Sequence, residues 1–276
     1  MKKMNGVVVL GLGVISMIAS SGCEEMLDDG RWEDLINGCG ECTNGGDEDT
    51  ETAGRCDPLG LEPLLYLPFD GTAEDASGLE NHGIATGIVY EEGTQGGTDL
   101  GAVFDGDGSY VELPYLMDLT EKSWSYSIWL KLSALPTRES DMFLLTRKDV
   151  KTYDDVYLFV DNAGNELQSW SEDGRTDSNV ALETDRWYHL AAVYDVDSLT
   201  LYVDGEPMRR STAQFSTDYP EDSPLIIASI MTDGGDGWSV DPNKGRIWGT
   251  VDDVRLYNSP LTDEQVALLY AADMPN

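Results

Sequence analysis

Two adjacent carboxylates, Asp252 and Asp253, lie in a stretch that otherwise has strand character, GTVDDVRLY at residues 249–257. Successive residues of a strand point to opposite faces, so one of the two acids should face the core. Asp252 shares its parity with Val254 and Leu256, which predicts that Asp252 is buried and that Asp253 is solvated. A buried carboxylate is costly without a partner. The candidate partners are a cation such as Ca²⁺ and an arginine, either Arg255 or Arg246.

A second kind of chemistry is indicated by aromatic side chains in polar loops. Trp238 lies in TDGGDGWSVDPNKG (232–245), Trp170 precedes SEDGR, and Tyr153 lies in KTYDD. Aromatic rings form apolar walls for ligands such as sugars, and a nearby carboxylate such as Asp236 accepts hydrogen bonds from hydroxyl groups. We therefore predict ligand binding at these four residues. The alternative for each ring is packing against its own loop.

The composition limits the classes of partner. The chain has 276 residues, of which 41% are hydrophobic, and its formal net charge is −35. This size allows one large domain with appendages or two small domains. A surface of this charge repels nucleic acid and anionic lipid headgroups and attracts cations, so nucleic-acid binding is not expected.

The N-terminus has the pattern of an export signal, which we assign to residues 1–22. Lys2 and Lys3 precede an apolar run, Gly6–Ala19, that is short for a membrane span of about 20 residues. Ser20-Ser21-Gly22-Cys23 follows and resembles a bacterial lipobox, in which Cys23 is lipidated. Ser20 stands where that motif has an aliphatic residue, so cleavage by an ordinary signal peptidase is the alternative.

Residues 23–60 form an acidic segment that we expect to be an extended tether. They hold twelve acidic side chains against two arginines and have few apolar residues. Three cysteines, Cys39, Cys42 and Cys56, lie in this segment. In an exported protein they favour one disulfide with one cysteine left over, because a zinc site needs a fourth ligand and no histidine is near.

From Leu61 onward, short apolar stretches alternate with turn sequences. SYSIWLKL (125–132), for example, places its large apolar residues at every second position. About a dozen such strands predict a sandwich or barrel. One helix is predicted at residues 261–272, where Thr262 and Gln265 have the spacing of a capping box.

Five stretches carry a resemblance to a known family. They are LLYLPFDGTAEDASGLENHGIATG (64–87), AVFDGDGSYVELP (102–114), WSYSIWLKL (124–132), WYHLAAVYD with LTLYVDGEP (187–207) and VDDVRLYNSPLTDEQVALLY (251–270). In this order they resemble the concanavalin A-like, laminin-G-like lectin domains, over roughly residues 61–274. The resemblance implies an all-β domain over residues 61–276, a two-sheet antiparallel jelly-roll sandwich with a short C-terminal helix.

The resemblance also implies further ligands for calcium. The opening stretch contributes Asp70, Asp75 and Asn81, and in this fold the first and last strands lie side by side, which brings these oxygens toward Asp252. Calcium takes six to eight oxygen ligands, so a structural ion at the joined ends of the domain is the hypothesis. The alternative is that Asp75 and Asn81 form turns in which their side chains bond the local backbone.

No catalytic set is evident. His189 lies within a predicted strand and His82 in a turn. Some relatives of this fold are glycosidases with Glu-x-Asp-x-x-Glu on one strand, which supplies two carboxylates. The nearest match, ESDMFL at residues 139–144, ends in leucine and lacks the second carboxylate. We therefore predict no enzymatic activity.

Three hypotheses about function follow. The first is an exported lectin-like module on the outer membrane or cell surface, anchored by a lipid on Cys23, that binds a glycan or a surface partner and holds a structural calcium. The second is a structural or protein-interaction domain of the envelope without a sugar site. The third, which the missing carboxylate disfavours, is a polysaccharide hydrolase.

Overall fold

A computed structural model describes residues 57–114, 116, 123–137, 141–147, 155–171, 173–215, 224–233, 238–241 and 243–275, together with two short strands near the N-terminus. The chain divides into two compact units, residues 1–46 and 47–276. In the first unit β1 (Val9–Leu10) pairs antiparallel with β2 (Gly13–Val14). Cys23 and the other cysteines lie outside the described residues. No described helix is long and apolar enough to span a membrane.

The second unit consists of short strands and one described helix. The strands are β3 (Leu65–Leu67), β4 (Ile84–Thr86), β5 (Val89–Glu92), β6 (Leu100–Asp105), β7 (Tyr110–Leu113), β8 (Trp124–Leu132), β9 (Met142–Arg147), β10 (Asp155–Val160), β11 (Glu166–Ser171), β12 (Gly174–Ala181), β13 (Trp187–Asp195), β14 (Ser198–Val203), β15 (Glu206–Thr212), β16 (Leu225–Ile227), β17 (Ile230–Asp233), β18 (Trp238–Asp241) and β19 (Trp248–Tyr257). The helix is α1 (Asp263–Ala272).

Two antiparallel sheets form the body of this unit. The seven-stranded sheet has the order β12-β11-β10-β9-β16-β7-β4, and the eight-stranded sheet has the order β15-β14-β13-β8-β19-β6-β5. The first strand of the domain, β3, pairs with the last, β19, and β17 and β18 form a separate hairpin. These pairings confirm the predicted all-β, two-sheet jelly-roll sandwich.

The core lies between the inner faces of the two sheets. On β8 every second residue, from Tyr126 to Leu132, joins the main apolar cluster, as the alternation predicts. Leu144 and Leu158 supply the seven-stranded side of the same cluster. We call the opposite face of each sheet its outer face.

Helix α1 covers part of the outer face of the eight-stranded sheet. Its buried residues Val266 and Leu269 belong to a second apolar cluster with residues of β13, β14 and β19. The Thr262 side chain accepts the N–H of Gln265, and the Gln265 side chain accepts the N–H of Thr262, so the predicted capping box is confirmed.

The parity argument for Asp252 is wrong because β19 contains a bulge. Val251 pairs with Leu130 and Asp252 with Trp129, but the next pair is Arg255 with Ser127, so β19 has one extra residue. The bulge is at Asp253, whose backbone has a positive φ of 45°. Asp252 therefore lies on the outer face, opposite to Val254 and Leu256, which lie in the core.

The predicted solvation of Asp253 is also wrong, because it is fully buried in an ionic network. Its Oδ1 accepts hydrogen bonds from the Tyr66 hydroxyl at 2.7 Å and from Arg255 Nη2 at 3.4 Å. Arg255 Nη1 donates to Asp273 Oδ2 at 2.7 Å, and the Arg255 side chain is 1% exposed. The network thus joins β3, β19 and the residue that follows α1.

We expect Arg255→Met to lower the free energy of unfolding by about 3–5 kcal/mol, because it leaves the carboxylates of Asp253 and Asp273 buried without their cation. Urea unfolding followed by tryptophan fluorescence measures this loss. The matched control is Arg186→Met. Arg186 is paired with Asp204 but its side chain is 57% exposed, so its removal should cost less than about 1 kcal/mol. Equal losses in the two variants would contradict a stabilising role of the buried network.

Candidate functional site

Asp75 and Asn81, two of the four predicted metal ligands, lie together in a hydrogen-bonded turn. Asp75 Oδ1 accepts the N–H groups of Tyr66 and Ser77, both at 2.9 Å. Its Oδ2 accepts the Ser77 hydroxyl at 2.7 Å and the Asn81 N–H at 2.9 Å. The Asn81 amide donates to Leu64 O at 2.8 Å. The bonds from Ser77 and Asn81 to Asp75 are those of the turn alternative, and the bonds to Tyr66 and Leu64 additionally join the turn to the first strand region.

The other two predicted ligands lie in different settings. Asp70 is exposed, and its Oδ1 accepts the N–H of Leu100 at 3.1 Å. Asp252 is fully buried. Its Oδ1 accepts the N–H of Asp253 and its Oδ2 accepts the N–H of Thr94, each at 2.9 Å. The structure therefore brings Asp252 to the loop between β5 and β6.

This loop supplies a carboxylate that sequence reasoning missed, Asp99. Asp99 is 9% exposed, and its Oδ2 accepts the N–H of Gln95 at 2.7 Å. A Cβ added to Gly93 would lie 2.6 Å from Asp252 Oδ2 and 2.7 Å from Asp99 Oδ2. Only glycine fits against both carboxylates, and this glycine in EEGTQGGTDL is the one signal in the sequence for the pair.

The Asp99–Asp252 pair is electrostatically strained. Burial raises the pKa of Asp252 well above its usual range, and the charges of Asp253 and Asp99 raise it further, although the hydrogen bonds from Thr94 and Asp253 lower it in part. Two buried carboxylates favour a shared proton or a bound cation. Within the described part of the chain, no group of three or more His, Cys, Asp or Glu side chains could hold a metal ion. The calcium hypothesis stays a prediction, and this pair is the place to test it.

A second site lies on the outer face of the seven-stranded sheet. On β11, Leu167 points into the core, so Gln168 and Trp170 point outward. Trp170 is half-buried, and its ring lies 5.3 Å from the ring of Phe159. The guanidinium of Arg175, directly opposite on β12, lies 4.4 Å from the Trp170 ring centroid.

Gln168 is the most informative residue of this face. It is 6% exposed and lies directly opposite Phe159 on one side and Asp177 on the other. In the part of the chain that the structure describes, Gln168 Oε1 has no hydrogen-bond donor. A buried acceptor without a donor is destabilising, so an acceptor that points to an outer face needs a reason. Sequence reasoning missed Gln168, because a polar residue in a strand is expected to be solvated.

The remaining predicted ligand-binding residues are only partly described. Tyr153 and Asp236 lie outside the described residues. Trp238 begins β18 and pairs through its backbone with Asp233 of β17, so it belongs to a hairpin and not to an open loop. Trp170 is thus the predicted binding residue whose surroundings the structure shows.

Both histidines occupy structural positions. His189 is 1% exposed, and its ring lies 5.3 Å from that of Trp129 and 6.2 Å from that of Tyr270 on α1. Burial lowers its pKa to about 3, and the charge of Arg255 adds to this effect. His82 Nδ1 accepts the N–H of Asp75 at 3.0 Å.

Sequence comparison identifies the family. The family model Laminin_G_3, of the concanavalin A-like lectin/glucanases superfamily, matches residues 105–267, which is more than half of the chain. The chain belongs to this Laminin_G_3 family. The resemblance seen in the five sequence stretches is confirmed. No curated protein matches the sequence.

Several solved structures have the same fold as this Laminin_G_3 chain but low sequence identity to it. Domain 4 of AbnA, a GH43 extracellular arabinanase from Geobacillus stearothermophilus, solved with arabinotriose, has a TM-score of 0.58 and 22% identity, and the match covers 76% of this chain and 98% of that one. The binding domain of Paraclostridial Mosquitocidal Protein 1 has a TM-score of 0.57 and 14% sequence identity, and the match covers 76% of this chain and 52% of that one. A mutant Trypanosoma rangeli sialidase has a TM-score of 0.57 and 16% sequence identity, and the match covers 78% of this chain and 34% of that one. These similarities show the fold alone.

The raised pKa of Asp252 predicts a pH dependence of stability. The folded state keeps a proton on Asp252 that the unfolded chain releases near its usual pKa of 3.8. The folded state therefore binds more protons, and this group's contribution to stability falls as the pH rises above about 4. We expect the melting temperature of Asp252→Asn to fall less than that of the parent between about pH 5 and about pH 9. Equal slopes would contradict the burial of a titrating acid here.

The same two proteins test for calcium at the Asp99–Asp252 pair. A bound cation replaces the proton, so calcium should raise the melting temperature of the parent most at high pH, and a chelator should reverse the change. Asp252→Asn should respond less. An unchanged melting temperature of the parent with calcium and with chelator would exclude a structural ion.

Proposed function

We propose that this Laminin_G_3 chain is an exported, lipid-anchored lectin-like module that binds a glycan on the outer face of the seven-stranded sheet and does not cleave it. The observation that carries this proposal is the buried acceptor Gln168 Oε1, which has no donor among the described residues and lies two residues from the half-buried ring of Trp170. A calcium ion at the Asp99–Asp252 pair remains part of the proposal as a structural ion.

The chemistry of this face suits a sugar. A pyranose or furanose ring has an apolar face that packs on an indole, and the half-buried Trp170 offers such a ring, supported from below by the buried ring of Phe159. A sugar hydroxyl group can donate a hydrogen bond, and within the described part of the chain Gln168 Oε1 has no donor. The guanidinium of the exposed Arg175 lies over the Trp170 ring and supplies hydrogen-bond donors, so this face offers an aromatic ring, an acceptor and donors.

Charge narrows the class of glycan. Asp141 lies near Arg175, whose charge partly opposes the rise in the pKa of Asp141 that burial causes. Arg175 is therefore already partly neutralised, and the chain as a whole carries −35. A polyanionic glycan would be repelled, so a neutral or amino-bearing glycan is proposed. The arabinotriose bound to domain 4 of AbnA is a neutral glycan on this fold, which supports the class but not the site.

Gln168→Leu should separate binding from stability. The substitution removes a buried acceptor that has no donor, so the free energy of unfolding should stay constant or rise, whereas glycan affinity should fall about tenfold as the hydrogen bond to the ligand is lost. A glycan array probed with the full chain identifies the ligand, and isothermal titration then measures the variant. Trp170→Ala should also abolish binding.

The matched control is Trp187→Ala. Trp187 is also half-buried and also lies against a cation, Lys131, but on the eight-stranded sheet. Its removal should leave glycan affinity unchanged. Absence of binding to any glycan, with and without calcium, would contradict the proposal and favour the protein-interaction alternative. Turnover of a bound polysaccharide would contradict the non-enzymatic part.

The anchor is tested separately from the sugar site. We expect the intact mass of the protein purified from membranes to show cleavage before Cys23 and the added mass of a lipid, because residues 20–23 resemble a lipobox. Cys23→Ser should release the protein from the membrane fraction without changing glycan affinity. An N-terminus without acyl mass would exclude the lipid anchor.

A further inference from the structure

The strands β4 and β5 end the two sheets on the same side of the sandwich. Among the described strands, β4 is last in the seven-stranded sheet and pairs only with β7, and β5 is last in the eight-stranded sheet and pairs only with β6. They follow each other directly in sequence, separated by Gly87 and Ile88. We call residues 79–92, which contain both strands, the edge segment.

The edge segment carries three of the seven exposed large hydrophobic residues among the described part of the chain. Leu79 is 56% exposed, Ile84 is 66% exposed and Val89 is 60% exposed. All three residues of β4 are exposed. Natural edge strands are protected by charge, proline or a covering element, but β4 has the sequence IAT. Gly83 N–H, directly before β4, donates to Ala73 O at 2.8 Å, so the edge that remains for another strand among the described residues is that of Ile84–Thr86.

The surroundings of β4 are acidic. Residues 56–121 contain fourteen Asp and Glu residues and not one Lys or Arg. Within the edge segment Glu80, Glu91 and Glu92 are exposed on either side of the apolar residues. A partner that fits must therefore supply apolar side chains to Ile84 and Val89 and positive charge to the carboxylates around them.

We propose that the edge segment docks an extended basic peptide, with alternating apolar and Lys or Arg residues, as an added strand on β4. Main-chain hydrogen bonds to the free edge of β4 give affinity, and successive side chains of the added strand point to opposite faces, so that one set packs on Ile84. The flanking carboxylates select the basic sequence. This site is separate from the glycan site and lies at the opposite edge of the seven-stranded sheet from β11 and β12.

A second copy of this chain is a poorer occupant for the same edge. Pairing of β4 with β4 of another copy would bring two acidic edge segments together, each with Glu80, Glu91 and Glu92 and with no Lys or Arg to oppose them. At moderate salt the repulsion between such surfaces is felt over about 8–10 Å. Charge therefore favours a basic strand over self-association.

The probe is a nine-residue peptide of alternating Lys and Val, labelled for fluorescence anisotropy and titrated with the full chain. The first comparison peptide replaces every Lys by Glu, and the second carries a central Pro, which cannot donate to a strand ladder. We expect the Lys/Val peptide to bind in a salt-dependent manner, the Glu/Val peptide not to bind, and the Pro peptide to bind at least about tenfold more weakly.

Variants of the protein locate the site. Ile84→Ser and Val89→Ser should each weaken the Lys/Val peptide about tenfold, because each removes an apolar contact. The matched control is Val196→Ser, at a valine that is 75% exposed outside the edge segment, and it should bind like the parent. The proposal would be overturned if the parent protein bound the Pro peptide as tightly as the Lys/Val peptide, or if Ile84→Ser bound the Lys/Val peptide as tightly as the parent does. Either result would show that the peptide is attracted only by the negative charge of the surface. Concentration-dependent dimers in sedimentation that Ile84→Ser abolishes would also overturn the proposal, because the occupant would then be a second copy.

Discussion

The buried guanidinium of Arg255 is the interaction on which the closure of the domain depends. It lies between Asp253 and Asp273, and Asp253 also accepts the hydroxyl of Tyr66. A charge removed from water is tolerated only with its counter-charges in place, so β3, β19 and the end of α1 must assemble together. The first and last strands of the sandwich thus depend on one cation. This cation lies on the outer face of the eight-stranded sheet.

The bulge at Asp253 explains how far the sequence could predict this arrangement. Alternation in β8, the capping box of α1 and the order of five stretches predicted the two-sheet fold correctly, because these signals are local. The position of the bulge was not predictable. Asp is a residue type that adopts positive φ more often than most, but two adjacent Asp residues in a strand do not indicate which of them does so. One extra residue placed Asp252 on the outer face, whereas Val254 lies in the core as expected. The arginine alternative then applied to Asp253, and Asp252 was left with Asp99.

The candidate sites show the same division between local and long-range information. Trp170 was predicted from its residue type and its polar neighbours. Gln168 was not, because its significance depends on burial by neighbouring strands and on the donor that it lacks. Asp99 was missed for a similar reason, since only the β5–β6 pairing brings it to Asp252. The ligand set implied by the family resemblance grouped Asp75 with Asp252, whereas hydrogen bonds from Tyr66, Ser77 and Asn81 occupy both oxygens of Asp75.

The two outer faces differ in what covers their buried polar groups. On the eight-stranded sheet Ser127 Oγ, Trp129 Nε1 and both nitrogens of His189 have no hydrogen-bond partner within the described residues, and the Tyr270 ring of α1 lies against Trp129 and His189. On the seven-stranded sheet Gln168 is buried at a cost that the free protein does not recover. A ligand hydroxyl group that donates to Gln168 would offset this cost. The free energy of that hydrogen bond therefore contributes to binding and not to folding.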